Sequence, residues 1–275
     1  MRTLAIIAGK EIRDGLRNRW VAAMTLLLAA FALTLAFLGA APTGAVKVSP
    51  LSVTIVSLSS LTIFLLPLIA LLLSYDAIVG EIERGTMALL LAYPVARWQV
   101  VLGKFAGHAA ILAFATVVGY GCAGAVLELT GGGDAAAWRA FVLLIGTSIL
   151  LGAVFIAIGY LVSALVRDRA IAGGIAIGVW LLFVLVYDMV LLGVLVADQG
   201  RTVTAGMVNW LLLLNPADTF RLFNLAGTPG VSSFSGLAGL ADQIHLAPAT
   251  IAGALALWIV VPLAATVGLF SRREI

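Results

Sequence analysis

Charge is what this sequence has least of. Only 11% of its 275 residues are charged while 63% are apolar, and the mean hydropathy is +1.16. A soluble domain carries about a quarter charged and about half apolar residues, so this ratio excludes a water-solvated globule and implies a membrane protein. Cysteine is nearly absent as well. Cys122 stands alone, which excludes an internal disulfide framework and a cysteine-built zinc site. The two histidines, His108 and His245, lie far apart, with no H-E-x-x-H or G-x-S-x-G around them to mark a metalloprotease or serine hydrolase. No G-x-x-x-x-G-K-[ST] occurs, so the chain has no phosphate cradle with which to hydrolyse ATP. The net charge of +3 comes from basic residues scattered between apolar runs, a pattern that suits orientation in a membrane better than nucleic-acid binding.

What is present is a set of six long apolar runs: Trp20 to Val46, Val48 to Tyr75, Phe105 to Leu127, Ala140 to Val166, Ala170 to Tyr187 and Leu246 to Ser271. About 20 helical residues cross about 30 Å of hydrocarbon, so each run holds one span, the fifth continuing past Asp188 toward Ala197. Twelve of the sixteen Lys and Arg residues fall in the amino terminus, the 76–104 loop, the Arg167-Asp168-Arg169 turn and the carboxyl tail. Lys47, Arg139, Arg201 and Arg221 fall on the other side. The positive-inside rule then places both termini in the cytoplasm, as an even number of spans requires if they share a side. In segment 1–19, Leu4, Ala8, Ile12, Leu16 and Trp20 recur every fourth residue while the basic residues lie elsewhere around the helix. That spacing describes an amphipathic helix on anionic lipid of the inner leaflet, with a merely soluble helix as the alternative. No short apolar core precedes a small-residue cleavage site, so the segment does not read as a signal peptide.

Charge concentrates between residues 80 and 104, GEIERGTMALLLAYPVARWQVVLGK. Glu81, Glu83 and Arg84 precede Gly85, then Thr86 to Tyr93 form an apolar stretch that Pro94 ends. Eight helical residues extend about 12 Å, far short of a span. An apolar helix in the cytoplasm needs a partner surface, or else it tucks back against its own bundle as a re-entrant hairpin. The pattern Glu83-Arg84-Gly85-Thr86, a leucine-rich turn, Tyr93-Pro94-Val95, Arg97-Trp98 and Gly103-Lys104 resembles the coupling helix of ABC-2 type permeases of ATP-binding-cassette transporters. The resemblance implies that Met87, Leu90 and Leu91 dock into a separate cytoplasmic ATPase, which would hold the ATP and Mg, and that Glu81, Glu83, Arg84 and Arg97 frame the contact. It also implies that this chain is not itself an enzyme, carries no cofactor, and works as a homodimer on an ATPase dimer in the bacterial inner membrane.

On this reading the chain is one all-α integral membrane domain spanning 1–275. It comprises an interfacial helix (1–19), spans one and two (20–75), a cytoplasmic coupling segment (76–104), spans three to five (105–196), a periplasmic segment (197–248) and span six (249–270). Within the periplasmic segment, Val203 to Ala217 is too short for a span and too apolar for a loop, so it reads as a re-entrant or interfacial helix. The following Asn215-Pro216-Ala217-Asp218-Thr219-Phe220-Arg221-Leu222-Phe223-Asn224-Leu225 starts at a turn and sets Asp218 three residues before Arg221, a helix-stabilising spacing.

This last stretch resembles the permeases that serve maturation of periplasmic copper enzymes, nitrous oxide reductase in particular. That resemblance implies a periplasmic accessory protein, with Asn215, Pro216, Asp218 and Arg221 at its contact. Copper(I) favours clustered soft ligands, and the spans offer only Met24, Cys122 and Met189, each alone on its helix. A sulfur-containing cargo, or force transmitted with no cargo, suits the apolar interior better than copper passage. An ABC-2 exporter of lipid, drug or polysaccharide is the alternative. Asp188 and Glu128 either line a polar cavity or reach the outer interface. Gly174 and Gly178 form small-xxx-small spacing, either at the interface between two copies or at a close contact within one.

Overall fold

The computed structural model describes residues 2–39, 50–129, 134–198, 202, 204–225 and 247–273. Lys47, Arg201, His245 and about half of the 197–248 segment lie outside the described residues. Among those described there are helices and no strands. In chain order they are α1 (Arg2–Leu16), α2 (Arg19–Gly39), α3 (Pro50–Ser74), α4 (Val79–Glu83), α5 (Thr86–Leu91), α6 (Arg97–Leu129) and α7 (Ala135–Leu165). Then come α8 (Arg169–Leu181), a π-turn (Leu182–Val186), α9 (Tyr187–Asp198), α10 (Ala205–Leu213), α11 (Pro216–Leu225) and α12 (Pro248–Arg272). Six segments are long and apolar enough to span a membrane: α2, α3, α6, α7, the composite of α8, π-turn and α9, and α12. The protein is an all-α, multi-pass membrane protein. Both chain ends gather at one end of the bundle, called basal below, and α10 and α11 lie toward the opposite, distal end.

Span α7 lies at the centre and is the most buried of the six; the fifth span is the least buried. Close approach is bought by glycine. A Cβ at Gly159 of α7 would overlap Ser74 of α3, and one at Gly119 of α6 would lie 3.0 Å from Leu28 Cβ and 3.2 Å from the Ala29 backbone nitrogen of α2. Lipid tails are as apolar as leucine, so packing of this kind and hydrogen bonds between helices hold the bundle together. Tyr120 and Thr62, both fully buried, share a 2.6 Å bond between α6 and α3. Trp180 donates from Nε1 to the Phe64 carbonyl and ties the peripheral fifth span to α3.

The 33 residues of α6 extend about 50 Å, about 20 Å more than a bilayer core needs. The surplus is basal, and α1 packs along it. A Cβ at Gly103 would sit 2.9 Å from Ile7 Cβ, and one at Gly107 would sit 2.5 Å from Glu11 Cβ and 3.2 Å from the Ala8 carbonyl. This contact rotates α1 away from the expected stripe. Leu4, Ile7, Ala8, Glu11 and Gly15 face the bundle, while Leu16 and Trp20 are exposed. The four-residue apolar repeat missed Ile7 and could not anticipate a glutamate on the buried face.

Candidate functional site

The basal segment between α3 and α6 is fixed from beneath by α7. Ser163 Oγ accepts from the backbone nitrogens of both Ile78 and Val79 at 3.0 Å, satisfying donors at the start of α4 that have no partner within the helix. Gly85 follows α4 with φ +71°, the left-handed conformation that a Cβ disfavours, and turns the chain into α5. Beyond Pro94, the Gln99 side chain reaches back to accept from the Ala96 nitrogen and starts α6. The expected eight-residue helix is therefore six residues long, Thr86–Leu91, with a turn after it.

Its outward face differs from the expected one. Met87 is 0% exposed, and Leu90 and Leu91 lie half-buried against the chain's own core. Burial of Met87 holds α5 onto the bundle and corrects the expectation that this side chain reaches a partner, while Leu90 and Leu91 keep part of their surface outward. The side chains that do face outward are Ala88, Leu89, Ala92, Tyr93, Pro94 and Trp98. Leu89 and Tyr93 are each 70% exposed, an apolar ridge without cover among the described residues.

Three of the four charges expected to frame a partner bond to groups of this chain. Glu81 accepts from the buried Lys104 ammonium at 2.8 Å, and Lys104 also donates to Glu11 at 2.7 Å. One cation thus joins α1, α4 and α6. Burial by itself would raise the Glu11 carboxyl, but the Lys104 ammonium more than offsets this and holds it below the ordinary 4.5. Beside them His108 bonds Tyr160 through Nδ1 at 2.8 Å and turns Nε2 toward Glu11 at 3.7 Å. His108 is thus a satisfied interfacial histidine.

Glu83, although exposed, accepts from the Arg169 backbone nitrogen at 2.7 Å. The Arg169 guanidinium meets Asp76 at 3.1 Å, and Asp168 caps α8 by accepting from the Ile171 nitrogen. Arg97 donates to the carbonyls of Phe270, Ser271 and Arg273, while Arg273 donates to Ala164 and Val166. Cations at helix C-termini satisfy carbonyls that have no partner within the helix and complement the dipole, so these two arginines lace α6, α12 and α7 together. Arg84 and Thr86 stay exposed beside the ridge.

The distal stretch is corrected more strongly. The two helices, α10 and α11, are separated at Asn215-Pro216, where a turn was expected, because a residue before proline avoids the helical region while proline suits the first helical position. Asn215 caps α11 by accepting from the Ala217 nitrogen at 3.0 Å. Its amide donates at 2.9 Å both to Asp218 Oδ2 and to the Phe183 carbonyl, inside the π-turn of span five. Asp218 is 1% exposed and meets Arg221 at 2.6 Å; Arg221 also meets Asp188 at 2.9 Å. Asn215, Pro216 and Asp218 are thus buried, and Arg221 is half-buried between two carboxylates. They form an internal clamp between span five and the α10–α11 pair, not the surface presented to a periplasmic protein that was expected. Asp188 belongs to this cluster, whereas Glu128 is exposed at the distal end of α6. What α10 presents outward is Met207, Trp210 and, just after it, Leu214.

Gly174 and Gly178 are exposed, with nothing within 4 Å of an added Cβ, so the alternative of a close contact within one subunit fails. Among the described residues, no three His, Cys, Asp or Glu side chains gather as metal ligands. Of the soft ligands, Met24 is buried while Cys122 and Met189 are exposed.

Six spans, a basal helix lying across the third, and a short apolar ridge between the second and third define a transporter membrane subunit of one class. The profile described as ABC-2 family transporter protein matches residues 5–275, and the chain belongs to that family. It is 47% identical over 269 residues to the "Probable ABC transporter permease protein NosY" of Stutzerimonas stutzeri, covering 97% of each chain. It is also 47% identical over 271 residues to the protein of the same description from Pseudomonas aeruginosa, covering 98% of each. It is a permease subunit of an ABC transporter, a family that works with an ATPase partner.

Proposed function

We propose that two copies of this chain form the membrane part of a transporter in the bacterial inner membrane, with the basal end cytoplasmic and docked on an ATPase dimer. The transporter serves copper-site maturation of nitrous oxide reductase with a periplasmic accessory protein. ATP-driven motion either moves a small species, sulfur-containing or copper, or passes force to that accessory protein. The observation that carries the coupling role is the uncovered ridge of Leu89 and Tyr93, exposed beside a basal frame that ties α4, the helix just before α5, to α1, α6 and α8. Motion imposed on the ridge reaches α1 and two spans, the third and the fifth, through that frame. The maturation role is supported by near-full-length similarity to the two NosY permeases. A ligand-poor interior favours the sulfur species or force over copper itself. With Asp218 and Arg221 engaged internally, the periplasmic partner is expected on the exposed Met207, Trp210 and Leu214.

A Leu89→Asp, Tyr93→Asp double variant places two charges in a contact that should be dry, at a cost of several kcal/mol. Both side chains are exposed, so insertion and folding should persist while the ATPase no longer co-purifies and copper loading of the reductase falls. Undiminished ATPase recovery would refute the docking surface. Normal copper loading in cells lacking the permease, with ATP hydrolysis intact in the purified complex, would instead favour export of lipid, drug or polysaccharide.

A further inference from the structure

A cavity of about 440 Å³ opens at the basal end under the corner between α1 and α2, walled also by the ends of α3 and α8 and by α6. Its size suits a small ligand or headgroup. Its lining divides into two chemistries. Glu11, Asp14 and Asp76 supply three carboxylates and Arg169 one guanidinium, while Val21, Leu72, Leu73 and Ile111 supply an apolar wall. Trp20, 54% exposed at its edge, is the residue type that marks a membrane interface.

We propose that this cavity binds a phospholipid headgroup carrying a primary ammonium and a phosphate, with the acyl chains leaving along the apolar wall beside Trp20. Neither half of that chemistry fits alone. An anionic headgroup would meet three carboxylates against one lining arginine. A quaternary ammonium has no N–H, whereas a primary ammonium has three donors for carboxylate oxygens. Asp14 is the carboxylate with most capacity left: it is 61% exposed and its one ion pair is with Lys10 at 3.4 Å. Arg169 meets Asp76 and the Tyr75 hydroxyl and is half-exposed, and its five N–H donors leave others for a phosphate. Glu11 belongs to the Lys104 cluster, so a lipid held here touches the frame that ties α1 to α4 and α6. The inference does not depend on which cargo the transporter serves.

The test uses the full-length chain purified in detergent and exposed to equal amounts of phosphatidylethanolamine, phosphatidylcholine and phosphatidylglycerol with identical acyl chains, retained lipid being counted by native mass spectrometry. Phosphatidylethanolamine should be retained about fivefold over the other two, as expected when charge-assisted hydrogen bonds distinguish the headgroups. Asp14→Asn should erase most of that excess and Asp14→Glu restore it, while Glu128→Gln at the distal end leaves it unchanged. Equal retention of all three lipids, or an excess indifferent to Asp14→Asn, overturns the proposal. Water-soluble phosphoethanolamine at millimolar concentration should leave the lipid bound; if it displaces the lipid completely, the site takes a free phosphorylated amine and the lipid assignment fails.

Discussion

Lys104 is the residue on which the basal end turns. It is buried, it answers two carboxylates from two other helices, and removing it would strand both in a partly desolvated site. Breaking a buried ion pair from one side costs about 3 kcal/mol or more. Lys104→Met should therefore release α1 from α6 without removing a span. With Ile7→Cys as a reporter in a Cys122→Ala background, thiol labelling should rise from near zero to that of an exposed site. Labelling as slow as in the parent would show that Gly103 and Gly107 packing alone holds α1. Glu11 provides a pH test of the same contact. Its carboxyl is depressed below 4.5 in the folded protein, so its contribution is complete above that ordinary value and is lost as pH falls through the lower folded value. Labelling at Ile7→Cys, taken as a ratio to labelling at the exposed Ile6→Cys so that the falling thiolate fraction cancels, should be flat from neutral pH to about pH 5 and climb only below it. A climb already at neutral pH would assign the contact to a different group.

At the scale of elements, the α10–α11 pair is held by groups that a charge swap cannot satisfy. Asp218→Arg with Arg221→Asp keeps one opposite-charge pair, but it sets an arginine where Asn215 donates and an aspartate against Asp188. Like charges at that distance and a buried amide donor facing a cation are both costly. The double variant should be less stable than either Arg221→Lys or the parent, with loss measured as a lower midpoint of thermal denaturation in detergent. A midpoint equal to the parent would mean that the pair is an ordinary surface contact. The coupling segment behaves differently, because its outward residues carry little of the fold. Helix α5 was legible in the sequence as a short apolar element ended by proline, yet which of its leucines face out was not. The Met87 side chain is claimed by the bundle, and that follows from the placement of α4 on Ser163, 85 residues away from Ile78.

For the whole molecule, the fifth span presents an apolar face with Ile171, Gly174, Ile175, Gly178 and Leu182 all exposed. Changing Gly174 and Gly178 to leucine meets nothing within 4 Å in the subunit, so the subunit should fold as before. If that face joins two copies through close backbone approach, the double variant should run as a monomer in detergent at unchanged thermal stability. A dimer that persists would place the interface on another span.

The sequence by itself determined the number of spans, the all-helical class, the position of the short helix between the second and third spans, and the end at which basic residues gather. These follow from local quantities: a bilayer demands about 20 apolar residues in a helix that satisfies its own backbone, and a window along the chain measures that directly. Tertiary structure alone decided which way side chains point. A span buried in lipid on one face and in protein on the other is apolar all round, so periodicity does not report which face packs. Charged residues were ambiguous for the complementary reason. Glu81, Arg97 and Arg221 look like surface groups in sequence, but each meets a partner on another helix, such as Asp188 for Arg221 and the end of α12 for Arg97. Glu11 and Lys104 stand 93 residues apart, and only the close crossing of α1 over Gly103 and Gly107 makes them a pair.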